Sequence, residues 1–136
     1  MENRIGSLNP VILLIALAAA LTATKATADV TIPDPGLEKA LRDTLGLGPS
    51  APITETALAG IPYLYAKFYD IADLTGLEYC TGLTQLDLTL NHISDLTPLQ
   101  GLTRLADLNL RYNRVNDVTP LQGLTSLTTL DLWSNQ

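Results

Sequence analysis

Leu83-Thr-Gln-Leu86-Asp-Leu88-Thr-Leu-Asn91 reads L-x-x-L-x-L-x-x-N, and the pattern returns at Leu105–Asn113 and Leu127–Asn135, a spacing of 22 residues. Aligning Leu86–Asp107 with Leu108–Thr129 gives twelve identities in 22 positions, among them Asp95/Asp117, Pro98/Pro120 and Gly101/Gly123. A fixed period of this length means a stack of similar units that bury a shared core. Within one unit, strand side chains alternate faces, so Leu86 and Leu88 turn inward while Gln85, Asp87 and Thr89 turn outward. Asn91 follows at the turn, where a side-chain amide can satisfy backbone groups released by the ending strand. On the return, Asp95 and Pro98 predict a single helical or 3-10 turn, because Asp caps and Pro fits only a first turn. Leu96, Leu99 and Leu102 close the back of the core, and Gly101 is expected to allow the bend into the next strand.

This leucine and asparagine spacing is that of a leucine-rich-repeat solenoid. Upstream, the pattern degenerates. Ile61, Leu64 and Ala66 stand at the strand positions, Tyr69 stands where the turn asparagine should be, and Gly76 replaces the proline of Pro98 and Pro120. From Val30 to Gly60 the repeat is absent, and the segment reads as the atypical unit that covers the open end of a solenoid core. Pro35 after Asp34 starts a helix whose stripe is Leu37, Ala40, Leu41 and Leu45, and Gly46 with Gly48-Pro49 ends it. A second, shorter helix is expected after Thr54 as cap, with Leu58 facing the core.

At the amino terminus, Arg4, an apolar run from Val11 to Leu21 and Ala26-Thr27-Ala28 have the layout of a signal peptide cleaved between Ala28 and Asp29. An uncleaved segment would hold the protein on a membrane. The expected organisation is a signal peptide at 1–28, a helical cap at 29–60 and repeats at 61–136, the last one incomplete. The chain stops directly after a strand. The natural protein is expected to continue with further repeats and a cap, and the uncovered end is expected to self-associate.

Composition narrows the function. The net charge is −6, and removal of Glu2, Arg4 and Lys25 with the first 28 residues makes it −7. With no basic cluster, nucleic acid and anionic membrane surfaces are poor partners. Cys80 is the single cysteine and His92 the single histidine, so no intrachain disulfide or zinc spacing is expected, and no Ser-His-Asp set can be assembled without His92. By register Cys80 is a core residue and His92 an exposed turn residue. Asp73, Asp95 and Asp117 recur in step with the repeat and read as structural. No catalytic residue, cofactor site or metal site is expected.

Binding is instead expected on the outward strand positions, which form three columns with neighbouring rungs ~4.8 Å apart. They are Tyr63, Gln85, Asp107, Thr129; Tyr65, Asp87, Asn109, Asp131; and Lys67, Thr89, Arg111, Trp133. Tyr, Trp and Arg are enriched at interface hot spots. Phe68, Leu90 and Tyr112, one position further on, are expected to pack at the strand end. Asp87→Ala is expected to cost little.

The segment I-P-D-P-G-L-E-K-A-L-R-D-T-L-G from Ile32 to Gly46, then I-T-E-T-A-L and I-A-D-L-T-G-L-E-Y, resembles bacterial leucine-rich-repeat proteins of the internalin type. The resemblance runs from about Thr31 to Gln136. It implies an α/β fold: a right-handed solenoid with a parallel concave sheet, 3-10 turns on the convex side and a small helical cap. It also implies a secreted or cell-surface protein whose concave face binds a protein ligand. The alternative is that this array is the recognition part of a larger exported enzyme.

Overall fold

The computed structural model of the chain describes residues 29–136, so the expected signal peptide lies outside the described residues. Four three-residue strands form one parallel sheet in chain order: β1 (Tyr63–Tyr65), β2 (Gln85–Asp87), β3 (Asp107–Asn109) and β4 (Thr129–Asp131). The pairing follows the repeat with no slip: Leu64 lies beside Leu86, Leu86 beside Leu108 and Leu108 beside Leu130. Bonding continues past the strands, because the amides of Ala66, Leu88 and Leu110 donate to the carbonyls of Asp87, Asn109 and Asp131. Each return segment carries a 3-10 turn, at Leu77–Tyr79, Thr97–Leu99 and Thr119–Gly123.

Inward leucines stack as the register requires. Leu86, Leu88, Leu108 and Leu110 are buried, and so are Leu96, Leu99, Leu102 and Leu105 behind them. Cys80 is buried in the same stack, where burial pushes its thiol up to about 12, Glu78 adding to the effect. Asn91 is buried and fully used: its Oδ1 accepts from Ile71 N–H at 3.0 Å, and its Nδ2 donates to the carbonyls of Ala66 at 2.8 Å and Leu88 at 2.9 Å. Asn113 does the same for Ile93, Leu88 and Leu110, and Asn135 for Val115, Leu110 and Leu132. Each asparagine therefore fastens its own repeat to the one before it.

Asp95 accepts both the N–H and the hydroxyl of Thr97, and Asp73 does so for Thr75. Those bonds start the convex turns, which explains why the acid recurs. Gly101 has an ordinary backbone and open space where a Cβ would stand, so the expected bend does not depend on it.

The cap consists of α1 (Pro35–Leu45) and α2 (Glu55–Ala59). Asp34 caps α1 by accepting from Leu37 N–H, Pro35 opens it, and Gly46 ends it in the left-handed conformation at φ 65°. Thr54 caps α2 through Ala57 N–H. The first repeat has no asparagine because its neighbour is the cap rather than another repeat. A different link joins cap and repeat: the second oxygen of Asp34 accepts from Ala72 N–H at 2.9 Å and Asp73 N–H at 3.1 Å. Tyr69, at the asparagine position, donates its hydroxyl to Asp43 on α1, and Lys39 lies over its ring. Gly76 is at φ 108°, and a Cβ there would stand 2.3 Å from Ile32 of the cap. Proline cannot adopt that φ, and any other L-residue would be strained there and would have to displace the end of the Ile32 side chain.

Candidate functional site

Three-residue strands fix where the outward side chains emerge. Tyr63, Gln85, Asp107 and Thr129 are exposed in the first column. In the second, Tyr65 is exposed, while Asp87, Asn109 and Asp131 are half-buried. Lys67, Thr89, Arg111 and Trp133 emerge two residues beyond each strand, on the same face because the hydrogen bonding continues that far. The structure thus brings all twelve expected residues onto one concave surface.

The chemistry of that surface changes from end to end. Next to the cap, the rings of Tyr63 and Tyr65 lie 5.8 Å apart, and the Tyr65 hydroxyl donates to Gln85 Oε1 at 2.9 Å. Both rings stay more than half exposed, at 53% and 58%, so they are not merely packing against the cap. In the middle, Tyr65, Gln85, Leu86, Asp87, Asp107 and Asn109 line a shallow depression of about 150 Å³. Towards β4, the Arg111 guanidinium lies 4.9 Å from the centre of the Trp133 ring and 3.6 Å from Asp131. Trp133 also meets the edge of Tyr112 at 4.8 Å between centroids, and remains 57% exposed. An arginine held over an indole is pre-ordered, which lowers the entropy lost when a partner docks.

Asp87 departs from expectation. It accepts the N–H and hydroxyl of Thr89 and pairs with Lys67 at 3.0 Å, so it organises the surface as well as lining it. The Asp107 carboxylate has no hydrogen-bond or ion-pair partner among the described residues and is available to a ligand.

A second departure concerns the column expected to pack at the strand ends. Phe68, Leu90 and Tyr112 are exposed, at 72%, 39% and 39%. With Ser134 they occupy one register position at which the backbone is left-handed, at φ 61°, 58°, 55° and 60°. Their amides are committed, Phe68 to Thr89 O, Leu90 to Arg111 O and Tyr112 to Trp133 O. The continuing sheet therefore dictates the φ, and the side chain is thrown outward. The period alone reveals the column, but large apolar residues read as core, and nothing local marks the positive φ.

His92 is exposed and contacts Asp70 at 2.8 Å, as a turn residue would. Among the described residues no cluster of His, Cys, Asp or Glu has the makings of a metal site. No helix among them is long and apolar enough to cross a membrane.

Solved structures share this architecture. An internalin, InlF, from Listeria monocytogenes is 32% identical over 76% of this chain, with a TM-score of 0.74. Internalin C2 from the same organism is 37% identical over 75% of the chain, with a TM-score of 0.72. The chain is an internalin-type leucine-rich-repeat protein. This internalin-type chain spans 31% and 46% of the length of those two relatives, less than half of either. It also aligns, at 28% identity and a TM-score of 0.61, with 22% of a Clostridium perfringens ZmpB structure described as CBM51-2 and INT domains. Neither protein-family models nor curated protein sequences give a match.

Proposed function

We propose that this internalin-type chain is an exported protein-binding module whose concave face, across the twelve outward positions from Tyr63 to Trp133, receives a protein ligand. The observation that carries the reading is the arrangement of Tyr63, Tyr65, Arg111 and Trp133. Four residues of the types that dominate interface energetics stand substantially exposed on a rigid sheet, two at each end of a polar depression. Export is supported by the charged start, the apolar run and Ala26-Thr27-Ala28. Probing an array of purified exported and surface proteins with the chain is the test. A ligand should lose at least about tenfold in affinity on Trp133→Ala or Arg111→Ala, the loss typical of a hot-spot residue. Ligands indifferent to both substitutions would overturn the reading.

A second reading, the array as recognition part of a larger exported enzyme, draws on the match to a structure in which such a unit accompanies CBM51-2. A catalytic domain in the complete open reading frame would decide for it.

A further inference from the structure

The column of left-handed residues beside the concave face has no structural reason to be apolar. Ser134 occupies the same position with the same backbone, and asparagine or glycine would suit that backbone better than any large side chain. Phe68, Leu90 and Tyr112 stand there instead, in three consecutive repeats, and Phe68 is the most exposed large apolar residue of the described chain. Leu90 and Tyr112 are partly covered, but Phe68 combines the unfavourable backbone with 72% exposure, and a locally unfavourable residue left that open points towards function.

We propose that Phe68, Leu90 and Tyr112 form an apolar docking strip for the apolar side chains of an acidic protein segment. Rungs of adjacent strands lie ~4.8 Å apart, so the three residues make an unbroken ridge roughly 10 Å long. The ridge is continuous with the concave face, because Tyr112 packs its ring edge-on against Trp133. Basic groups stand along both borders, although Asp70 is among them and most are met by a carboxylate of this chain. Lys67 and Arg111 stand on the concave side, and Asp70, His92 and Arg114 on the other. Lys67, Arg111 and His92 each contact a carboxylate of this chain, whereas Arg114 has no ion-pair partner among the described residues. Arg111 and Arg114 bracket Tyr112, and carboxylates beside an apolar segment would pair with them. An anionic membrane is opposed by the overall negative charge.

The strip rests on the concave-face reading only in that both would serve one partner, and the two can fail separately. Selection of phage-displayed random dodecapeptides on the full chain is the experiment, followed by affinity measurements on variants. Expected are peptides that combine aromatic or aliphatic residues with Asp or Glu and bind F68N/L90N at least about tenfold more weakly than the parent. Peptides weakened by R111A/W133A but not by F68N/L90N would leave the concave face standing and overturn the strip. The converse would leave the strip without the concave face. Peptides indifferent to both pairs, enrichment of basic peptides, or no enrichment overturns the strip. So does binding to mixed phosphatidylcholine and phosphatidylserine vesicles that F68N/L90N abolishes, since that would make it a membrane contact. Circular dichroism checks that each variant is folded; if F68N/L90N is not, F68N alone, at the most exposed rung, carries the same comparison.

Discussion

Leu110 and Asp107 stand three residues apart and face opposite ways, one sealed between Leu88 and Leu132, the other open to solvent. Leu110→Ala is expected to cost ~2–5 kcal/mol, the range for emptying a packed leucine site. Asp107→Ala should stay within about 0.5 kcal/mol, since it removes no bond within the chain. Chemical denaturation of both compares them, and equal midpoints would contradict the inward and outward assignment. At this scale the sequence is legible wherever a residue's role repeats. Leu86 and Asn91 announce themselves because the same role comes round 22 residues later with the same neighbours. Asp87 was not legible, because its bonds to Thr89 and Lys67 depend on rotamers that a pattern does not carry. Tyr112 does pack at the strand end, on Trp133, but the openness of Phe68 is not legible, because side-chain hydrophobicity is the only guide and the left-handed backbone angle costs about 1–2 kcal/mol per residue without leaving a sequence mark.

The junction between α1 and the first repeat is where one element's requirements change another's sequence. Burial alone would raise the Asp34 carboxyl, but the N–H groups of Ala72, Leu37, Asp73 and Gly36 together outweigh it and hold the group below the usual carboxylate range. A depressed folded-state value contributes stability that is complete above the unfolded value near pH 4 and is lost as pH falls through the folded value. Asp34→Asn should therefore flatten the loss of stability below about pH 4. The slope that persists belongs to Asp43, Asp95 and Asp117, which are also held low, by Lys39, Thr97 and Thr119 respectively. Denaturation midpoints of parent and variant across that window check the sign. Gly76→Pro makes the first repeat more regular on paper, yet it should destabilise by more than the ~1–2 kcal/mol of left-handed strain, because φ 108° excludes proline and Ile32 occupies the space. Thermal melts would show it, and a neutral outcome would mean the cap packs loosely. The helix bounds of α1 were readable from Asp34, Pro35 and Gly46. Ile32 against Gly76 was not, since the contact joins residues far apart in the chain.

Across the whole molecule, stability is a sum over repeats and their interfaces, and the two ends of the sheet differ. β1 is covered by the cap, whereas β4 is the last strand of the described sheet and leaves Leu130 41% exposed. A segment of residues 29–136 made alone is expected to self-associate through the edge of β4 that such a cut exposes, as unpaired strands do. Light scattering with and without an added terminal cap tests this, and a monomer at high concentration in both forms would refute it. In a secreting host the released product should begin at Asp29, as N-terminal sequencing would show; an intact Met1 on membrane-bound material would point to an anchor instead.

The asparagine ladder has a mechanical side. Each rung ties a repeat only to its predecessor, so a load pulling Gln136 away from the cap meets the bonds of one repeat at a time rather than the whole sheet at once. Detaching a repeat frees 22 residues, roughly 75 Å of slack, before the next rung takes the strain. Under such a load the repeats should give way in even steps towards the cap, with the junction held by Asp34 and Ile32 the last of the described contacts to yield. Such an array lengthens under tension while keeping the cap-side half of its face intact.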